Sequence, residues 1–404
     1  MNITIITSTF PYPLNSGGAQ AQYNFIDTLR KEHSIALIFP VNGKNRMEAV
    51  KHMQSVWPEV EFHPYSYGRQ LLHGPFLKDK IVRALKLRVC PKSERFLAER
   101  ALKPYGYYFT KDFLGFVNSV IKEHETDLIQ VDFYPYQHIV RYLPTDIRKI
   151  FIQHEIRYVR NKRLLAPVQL TTKEEALFEE VRQTEIDDLN AYNQVVSLTE
   201  TDKEVMIADG VKVPILVSPA AVNTPILPYH EWNGTVVFVG GYSHIPNQEG
   251  MDWFISQVLP LVNMDGIKAI NVVGGGWPQH YQQMHEKLHF LGFVDDLQEV
   301  LKGAIVMVPI LTGSGMRMKI LDAAASCRPI VTTAVGVEGL DFRHQHACII
   351  ANEPTDFANA INSLSADNEK MKALATNAQA VFQEKYSVAA LARVRNNIYT
   401  NEAN

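Results

Sequence analysis

Short runs of β-branched and apolar residues recur along this chain and alternate with stretches of helical spacing, and this rhythm limits the fold most. Residues 2–8 read as a strand, 19–31 as a helix with Tyr23, Ile26 and Leu29 on one face, and 34–40 as a second strand. Strand, glycine-bearing loop, helix and strand make a βαβ unit, the opening of a parallel sheet. The same spacing predicts strands over 60–63, 127–131, 150–153, 194–198 and 214–218, a helix within 44–59 and a long polar helix over 172–192. Thr199 or Thr201 suits the cap of the helix after the fourth of these strands. Residues 218–228 are rich in proline and small side chains, and a domain boundary is placed there. The rhythm then restarts. Strands are expected over 235–241, 268–274, 290–293, 304–311, 329–333 and 348–351, with helices over 248–262, 281–288, 297–302 and 316–327. Two helices to about 384 follow, then a terminal helix over 386–399 with Val388, Leu391, Val394 and Ile398 in one stripe. The fold class is α/β, with two doubly wound Rossmann-like domains facing across a cleft. The divisions are 1–218, with a helical basic insert over about 64–125, then 229–385, then a terminal segment 386–404 packing back on the first domain.

A chain of 404 residues exceeds one ordinary core and suits two. Its 46% hydrophobic and 21% charged content is that of a soluble globular protein. A net charge of -3 gives no overall argument for nucleic acid as a partner. Cys90, Cys327 and Cys348 are widely spaced and make no metal motif or disulfide framework, which points to a reducing compartment. The first residues lack the basic and apolar regions of a signal peptide, and no apolar run is long enough to span a bilayer. A cytoplasmic location is expected. Within 69–103, ten lysines and arginines stand against three acidic residues, interleaved with Phe76, Leu77, Ile81, Val82, Leu85 and Leu87. Such a stretch suits docking on anionic lipid at the inner face of the cytoplasmic membrane, or on an anionic acceptor; a solvated face of an inserted helical pair explains it equally.

The most informative local stretch runs from Gly313 to Asp322. Gly313 and Gly315, with Ser314 between them, let the backbone turn sharply after a buried strand and approach a ligand. A helix start follows, with unpaired N–H groups and the positive end of its dipole. Arg317 and Lys319 add positive charge there against the dipole, as a site awaiting a dianion would. Asp322 can accept bonds from sugar hydroxyls. The stretch reads as a seat for a nucleotide diphosphate, most plausibly of a sugar nucleotide; the alternative is a glycine turn before a solvated basic helix start. Gly17 and Gly18 lie beyond a strand's carboxyl end, where open α/β sheets bind ligands, although a simple helix-start turn also accounts for them. Asp132 and the pair His154 and Glu155 leave the ends of two further strands, where such enzymes place chemistry. No DxD motif is present: Asp187–Asp188 and Asp295–Asp296 are adjacent pairs, read as helix-side and turn residues.

The second half resembles the retaining GT-B glycosyltransferases of the GT4-like group. The resemblance rests on Phe238-Val239-Gly240, Pro246-Asn247, Asp252-Trp253-Phe254, Leu259-Pro260, Leu291-Gly292-Phe293-Val294-Asp295-Asp296-Leu297, the Gly313–Ala324 stretch, Pro329–Thr333 and Val335–Leu340, in one order. It covers about 235–342 closely and most of the rest loosely. It implies transfer of a sugar from a nucleotide-sugar donor to a hydroxyl with retention, without a metal or other cofactor. The acceptor is a glycan, lipid-linked or protein hydroxyl, as in bacterial surface polysaccharide or lipopolysaccharide synthesis. In this reading 229–385 holds the donor and 1–218 the acceptor. Gly313, Ser314, Gly315, Arg317 and Lys319 hold the diphosphate, and the two cations stabilise charge as the glycosidic bond breaks. Asp322 holds the ribose, Phe293 and Val294 bracket the base, and Gly240 and Asn247 belong to the donor site. Gly17 and Gly18 let the first domain close on the phosphates. Asp132 bonds a donor-sugar hydroxyl; His154 and Glu155 orient the acceptor. The chain departs from the family in three places. Asp322 stands where Glu is commoner, Ser314 where many relatives have another Glu, and Tyr242–Asn247 where many have Arg and Lys. Two other readings share the fold class or the ligand: a sugar-nucleotide 2-epimerase, and a non-catalytic nucleotide-sugar-binding subunit.

Overall fold

Every named strand pairs in parallel with its neighbours, and the strands form two sheets of seven and six. The computed structural model describes residues 1–14, 17–41, 44–67, 101–102, 109–166, 168–219, 224–313 and 316–400. Apart from Ala101 and Leu102, the basic stretch 69–103 lies outside the described residues, as do Cys90, Ser314 and Gly315. The chain divides into two units, Met1–Pro219 with Val394–Asn404, and Ala220–Arg393.

The first unit begins with β1 (Asn2–Thr7), α1 (Gly17–Leu29), β2 (Ser34–Pro40), α2 (Lys44–Val56) and β3 (Glu61–Tyr65). Next come α3 (Lys111–Glu123), β4 (Leu128–Asp132), a 3-10 helix (Tyr134–Tyr142), β5 (Arg148–Gln153), α4 (Arg157–Leu165) and α5 (Thr172–Leu189). β6 (Gln194–Ser197), α6 (Glu200–Ala208) and β7 (Ile215–Val217) complete the first pass of the chain. The strand order is β3-β2-β1-β4-β5-β6-β7. Order reverses between β1 and β4, whose last residues, Thr7 and Asp132, are register partners. Ligands of doubly wound sheets bind outside the strand ends at such a reversal. The strands read as apolar runs because helices cover both faces: Ile35 to Phe39 are all buried.

Helix starts follow their capping residues. Thr110 accepts from the Phe113 N–H, Thr199 from the Asp202 N–H, and Thr171 with Glu174 forms a capping box. α4 was not visible in the sequence, since its Arg-Tyr-Val-Arg-Asn-Lys-Arg run carries no apolar stripe. A distant carboxylate starts it instead: buried Glu185 of α5 accepts from the N–H groups of Arg157 (2.9 Å) and Tyr158 (3.1 Å).

The second unit contains β8 (Thr235–Val239), α7 (Ile245–Trp253), β9 (Ala269–Val273), β10 (Leu288–Gly292), α8 (Leu297–Leu301), β11 (Ala304–Val308) and α9 (Met318–Ala325). β12 (Ile330–Thr332), α10 (Ala334–Val337), β13 (Ile349–Ile350), α11 (Pro354–Ser365) and α12 (Asn368–Lys385) follow. The order β10-β9-β8-β11-β12-β13 repeats the first unit's winding, with the reversal between β8 and β11. Two helices differ from expectation. Residues 248–262 are α-helical only to Trp253, then continue as a π turn (Phe254–Val258) and a 3-10 turn holding Pro260, which lacks the N–H a longer α-helix needs. Over 281–288 there is only a 3-10 turn, Gln279–Gln283.

The terminal helix α13 (Val388–Thr400) carries the chain back to the first unit. Arg395 donates to the Ser218 hydroxyl and, at 3.2 Å, to its carbonyl, and lies over the Phe25 ring at 4.5 Å. Arg148 of β5 donates to the carbonyls of Ile398 and Tyr399, both at 2.9 Å, which satisfies the negative end of α13.

Candidate active site

In the second unit Gly240, Asn247, Gly313, Arg317 and Lys319 collect at the reversal between β8 and β11. Gly240 follows β8, and a Cβ there would lie 2.6 Å from the Asn247 side-chain nitrogen, so only glycine admits that amide. Asn247, buried in α7, donates to the Gly241 carbonyl at 2.9 Å and accepts from Lys319 Nζ at 2.8 Å. Lys319 also lies 4.3 Å from the centre of the Phe238 ring. The side chain thus bridges from the first turn of α9 to α7. Gly313, at φ +110, brings the loop after β11 against Pro246, and a Cβ there would stand 3.6 Å from Arg317 Nη2. α9 starts at Met318, two residues later than the sequence reading. Arg317 therefore occupies the N-cap and Lys319 the second helical position. Ile320, Leu321 and Ala324 are fully buried, as their spacing required.

This corner is strongly electropositive. Burial, and then the Arg317 guanidinium, pull the Lys319 ammonium down to about 7 from 10.5. Burial, followed by the charges of Lys319 and Arg317, lowers His244 as well. Among the described residues Lys319 makes no ion pair with a carboxylate. Asp322, one turn along α9, is buried and accepts from Thr224 Oγ1 at 2.8 Å, and burial raises its carboxyl to about 6. Phe293, past the end of β10, is 69% exposed, and Val294 beside it is half-buried. Three residues were missed. His244 stands at the N-cap position of α7 without a side-chain cap bond, Thr224 holds Asp322, and Trp277 Nε1 donates to the Gly240 carbonyl at 2.9 Å. A histidine between a strand end and Pro246-Asn247 was a readable signal; the other two contacts are long-range and carried none.

In the first unit, α1 starts at Gly17, so Gly17 and Gly18 form its first turn and not a loop before it. A Cβ on Gly18 would lie 3.2 Å from the Phe133 ring. Phe133 holds φ 68 and stacks on His154 at 3.9 Å between ring centres. Asp132, expected to meet a donor sugar directly, is 1% exposed. Its Oδ2 accepts from Gln130 Nε2 (2.9 Å) and Gln22 Nε2 (3.4 Å), and its Oδ1 faces His154 Nε2 at 3.3 Å. An ionised carboxylate only accepts, so a neutral imidazole at His154 would hold its proton on Nε2 and leave Nδ1 as the acceptor. Glu155 pairs with Arg160 at 2.5 Å, and Arg160 lies over the Tyr134 ring at 4.7 Å. Of the adjacent acidic pairs, Asp188 is buried between His138 (2.7 Å) and Arg141 (2.8 Å), and Asp296 caps α8.

Residues 233–367 match the family described as glycosyl transferases group 1. That span holds Gly240, Asn247, Gly313, Arg317, Lys319 and Asp322. The whole chain is similar to an uncharacterised 44.6 kDa protein in the cps region of Klebsiella pneumoniae, 22% identical over 95% of this chain and 96% of that one. Among solved structures it shares its fold with HepE of Anabaena in complex with UDP (14% identity, TM-score 0.66, 99% of this chain and 100% of that). TarM of S. aureus, in complex with Fondaparinux, alpha-GlcNAc-glycerol and UDP, aligns at 12% identity, TM-score 0.67 and the same two coverages. The likeness is one of fold, and both units here are Rossmann-like.

Proposed function

We propose that this protein is a retaining glycosyltransferase that moves a sugar, of hexose type, from a nucleotide-sugar donor to a hydroxyl of a glycan or lipid-linked acceptor. The observation that carries this reading is the bridge of Lys319 from α9 to Asn247 beside Arg317: a cation pressed toward neutrality, with a neutral amide in place of a carboxylate. A diphosphate supplies the missing anion. As the bond from sugar to diphosphate breaks, negative charge grows on the leaving oxygen, and fixed cations lower the barrier without reorganising. Asp322 receives the ribose hydroxyls and exposed Phe293 lies where a base stacks. Asp132 is too buried to touch substrate, so it acts on His154, whose Nδ1 is left to meet a hydroxyl. The UDP in HepE makes UDP-sugars the first donors to try, and the cps-region relative supports surface polysaccharide synthesis. The chemistry uses no metal, so EDTA leaves turnover intact. The protein works in the cytoplasm, and the basic stretch 69–103 draws it to anionic membrane.

The test measures sugar transfer and UDP affinity in Lys319→Ala and Arg317→Ala. Each is expected to lower turnover by roughly 10²–10³-fold, the loss typical of one transition-state charge stabiliser. Near-normal turnover in both overturns the assignment. Donor alone yielding an isomeric donor establishes an epimerase instead, and donor binding without turnover on any acceptor establishes a binding subunit.

A further inference from the structure

A buried polar chain runs from the C-terminal helix to the strand-end carboxylate of the first unit. Tyr399, 1% exposed, donates its hydroxyl to Gln130 Oε1 at 2.5 Å. Gln130, fully buried, donates through Nε2 to Asp132 Oδ2 at 2.9 Å. Asp132 Oδ1 in turn holds His154 Nε2. Gln130 and Asp132 are two apart in β4, so they share one face of the sheet. A glutamine amide in the middle of a buried strand is unfavourable unless both of its ends are matched. Here they are matched in one direction only: the oxygen takes the phenol, and the nitrogen is committed to the carboxylate.

We propose that Tyr399 is a positioning residue for the transfer reaction, acting on His154 through Gln130 and Asp132; this rests on the sugar-transfer reading above. Other contacts already secure the helix, since Arg395 grips Ser218 and Arg148 takes the last carbonyls. The Tyr399 hydroxyl, which also meets the Arg395 side chain of its own helix, reaches past them into β4 and ends on Gln130. Its burial drives the phenol far above its ordinary pKa, so it remains a donor. Without it, Gln130 Oε1 is left unmatched where water has no entry, and the amide turns to find another partner. Asp132 then loses its nearest donor, and with it the fixed direction in which it holds the imidazole. The second amide on Asp132, Gln22, is longer at 3.4 Å and is itself held by Thr7 Oγ1 at 3.3 Å, so it does not replace the first.

The experiment compares Tyr399→Phe and Gln130→Leu with the wild-type full chain. Tyr399→Phe keeps the ring and its packing and removes only the hydroxyl. The expected result is a kcat lower by roughly tenfold, the low end of what loss of an outer partner costs a functional histidine, with UDP affinity and donor KM unchanged. A long-range ¹H–¹⁵N spectrum of the imidazoles gives the second reading: His154 as the Nε2–H tautomer in wild type and a mixture in both variants. Wild-type kcat and an unchanged His154 spectrum in Tyr399→Phe overturn the inference. A fall in melting temperature with the His154 tautomer unmoved also overturns it, as a purely structural role. If no donor and acceptor pair turns over in wild type yet the tautomer shifts in Tyr399→Phe, the sugar-transfer reading fails while the relay stands.

Discussion

Lys319 is held at a protonation balance that a ligand can tip. In the free protein its ammonium titrates at about 7, and a diphosphate against it favours the charged form. Binding above that pH must therefore take up a proton, and UDP affinity falls as pH rises, at most about tenfold per unit for one proton. His244 is also close, but its pKa is lowered from 6.5, so the window above about pH 7 isolates Lys319. Calorimetry in buffers of different ionisation enthalpy at about pH 7.5 is expected to show proton uptake that Lys319→Arg abolishes; flat affinity across that window contradicts the account. Asp322 gives the opposite sign. Its folded carboxyl titrates at about 6, above the ordinary 3.8, so the folded state holds the proton longer and stability falls as pH rises between those values. Asp322→Asn is isosteric and keeps an acceptor for Thr224. It is expected to stabilise the chain by roughly 1–3 kcal/mol at neutral pH, while UDP binding weakens. The gain in melting temperature should vanish at about pH 3.5, and a gain that persists there would falsify the buried-charge explanation.

At the scale of elements, α7 is seated by a missing side chain. A Cβ on Gly250 would fall 2.2 Å from the Pro309 carbonyl oxygen, which is backbone and cannot step aside. Gly250→Ala is expected to cost roughly 1–3 kcal/mol of stability, the usual range for overpacking. It should also shift Asn247 and Lys319, so UDP affinity falls with it, as denaturant melts and calorimetry on one preparation can read. Strands were the most legible elements, because a buried parallel strand is an apolar run that its own residues specify. α9 was legible for the same reason, through Ile320, Leu321 and Ala324. α4 was not, because its start is set by Glu185, far along the chain and without local periodicity. The clustering of Gly313, Arg317 and Lys319 could be read, since glycine and cation spacing is local. Burial of Asp132 could not, since beyond Gln130 in its own strand its partners Gln22 and His154 come from α1 and from the end of β5.

For the whole molecule, both units wind in the same strand order, 3-2-1-4-5-6 in each unit's own count, with a seventh strand added in the first. Each places its chemically loaded residues at its own reversal point: Asp132 beside β1 in one, and Gly240 with Lys319 between β8 and β11 in the other. That repetition explains how one rhythm in the sequence foretold two sheets, and how motifs more than a hundred residues apart meet equivalent addresses. The return of the chain at Val394 has a consequence in time. A ribosome has finished every strand of the first unit by Val217, yet Tyr399 does not exist until 182 residues after that strand ends, with the whole second unit made in between. If the proposed relay holds, the histidine of the first unit is not aligned until the last helix arrives, and a chain that ends before residue 399 is expected to bind a nucleoside diphosphate without transferring sugar.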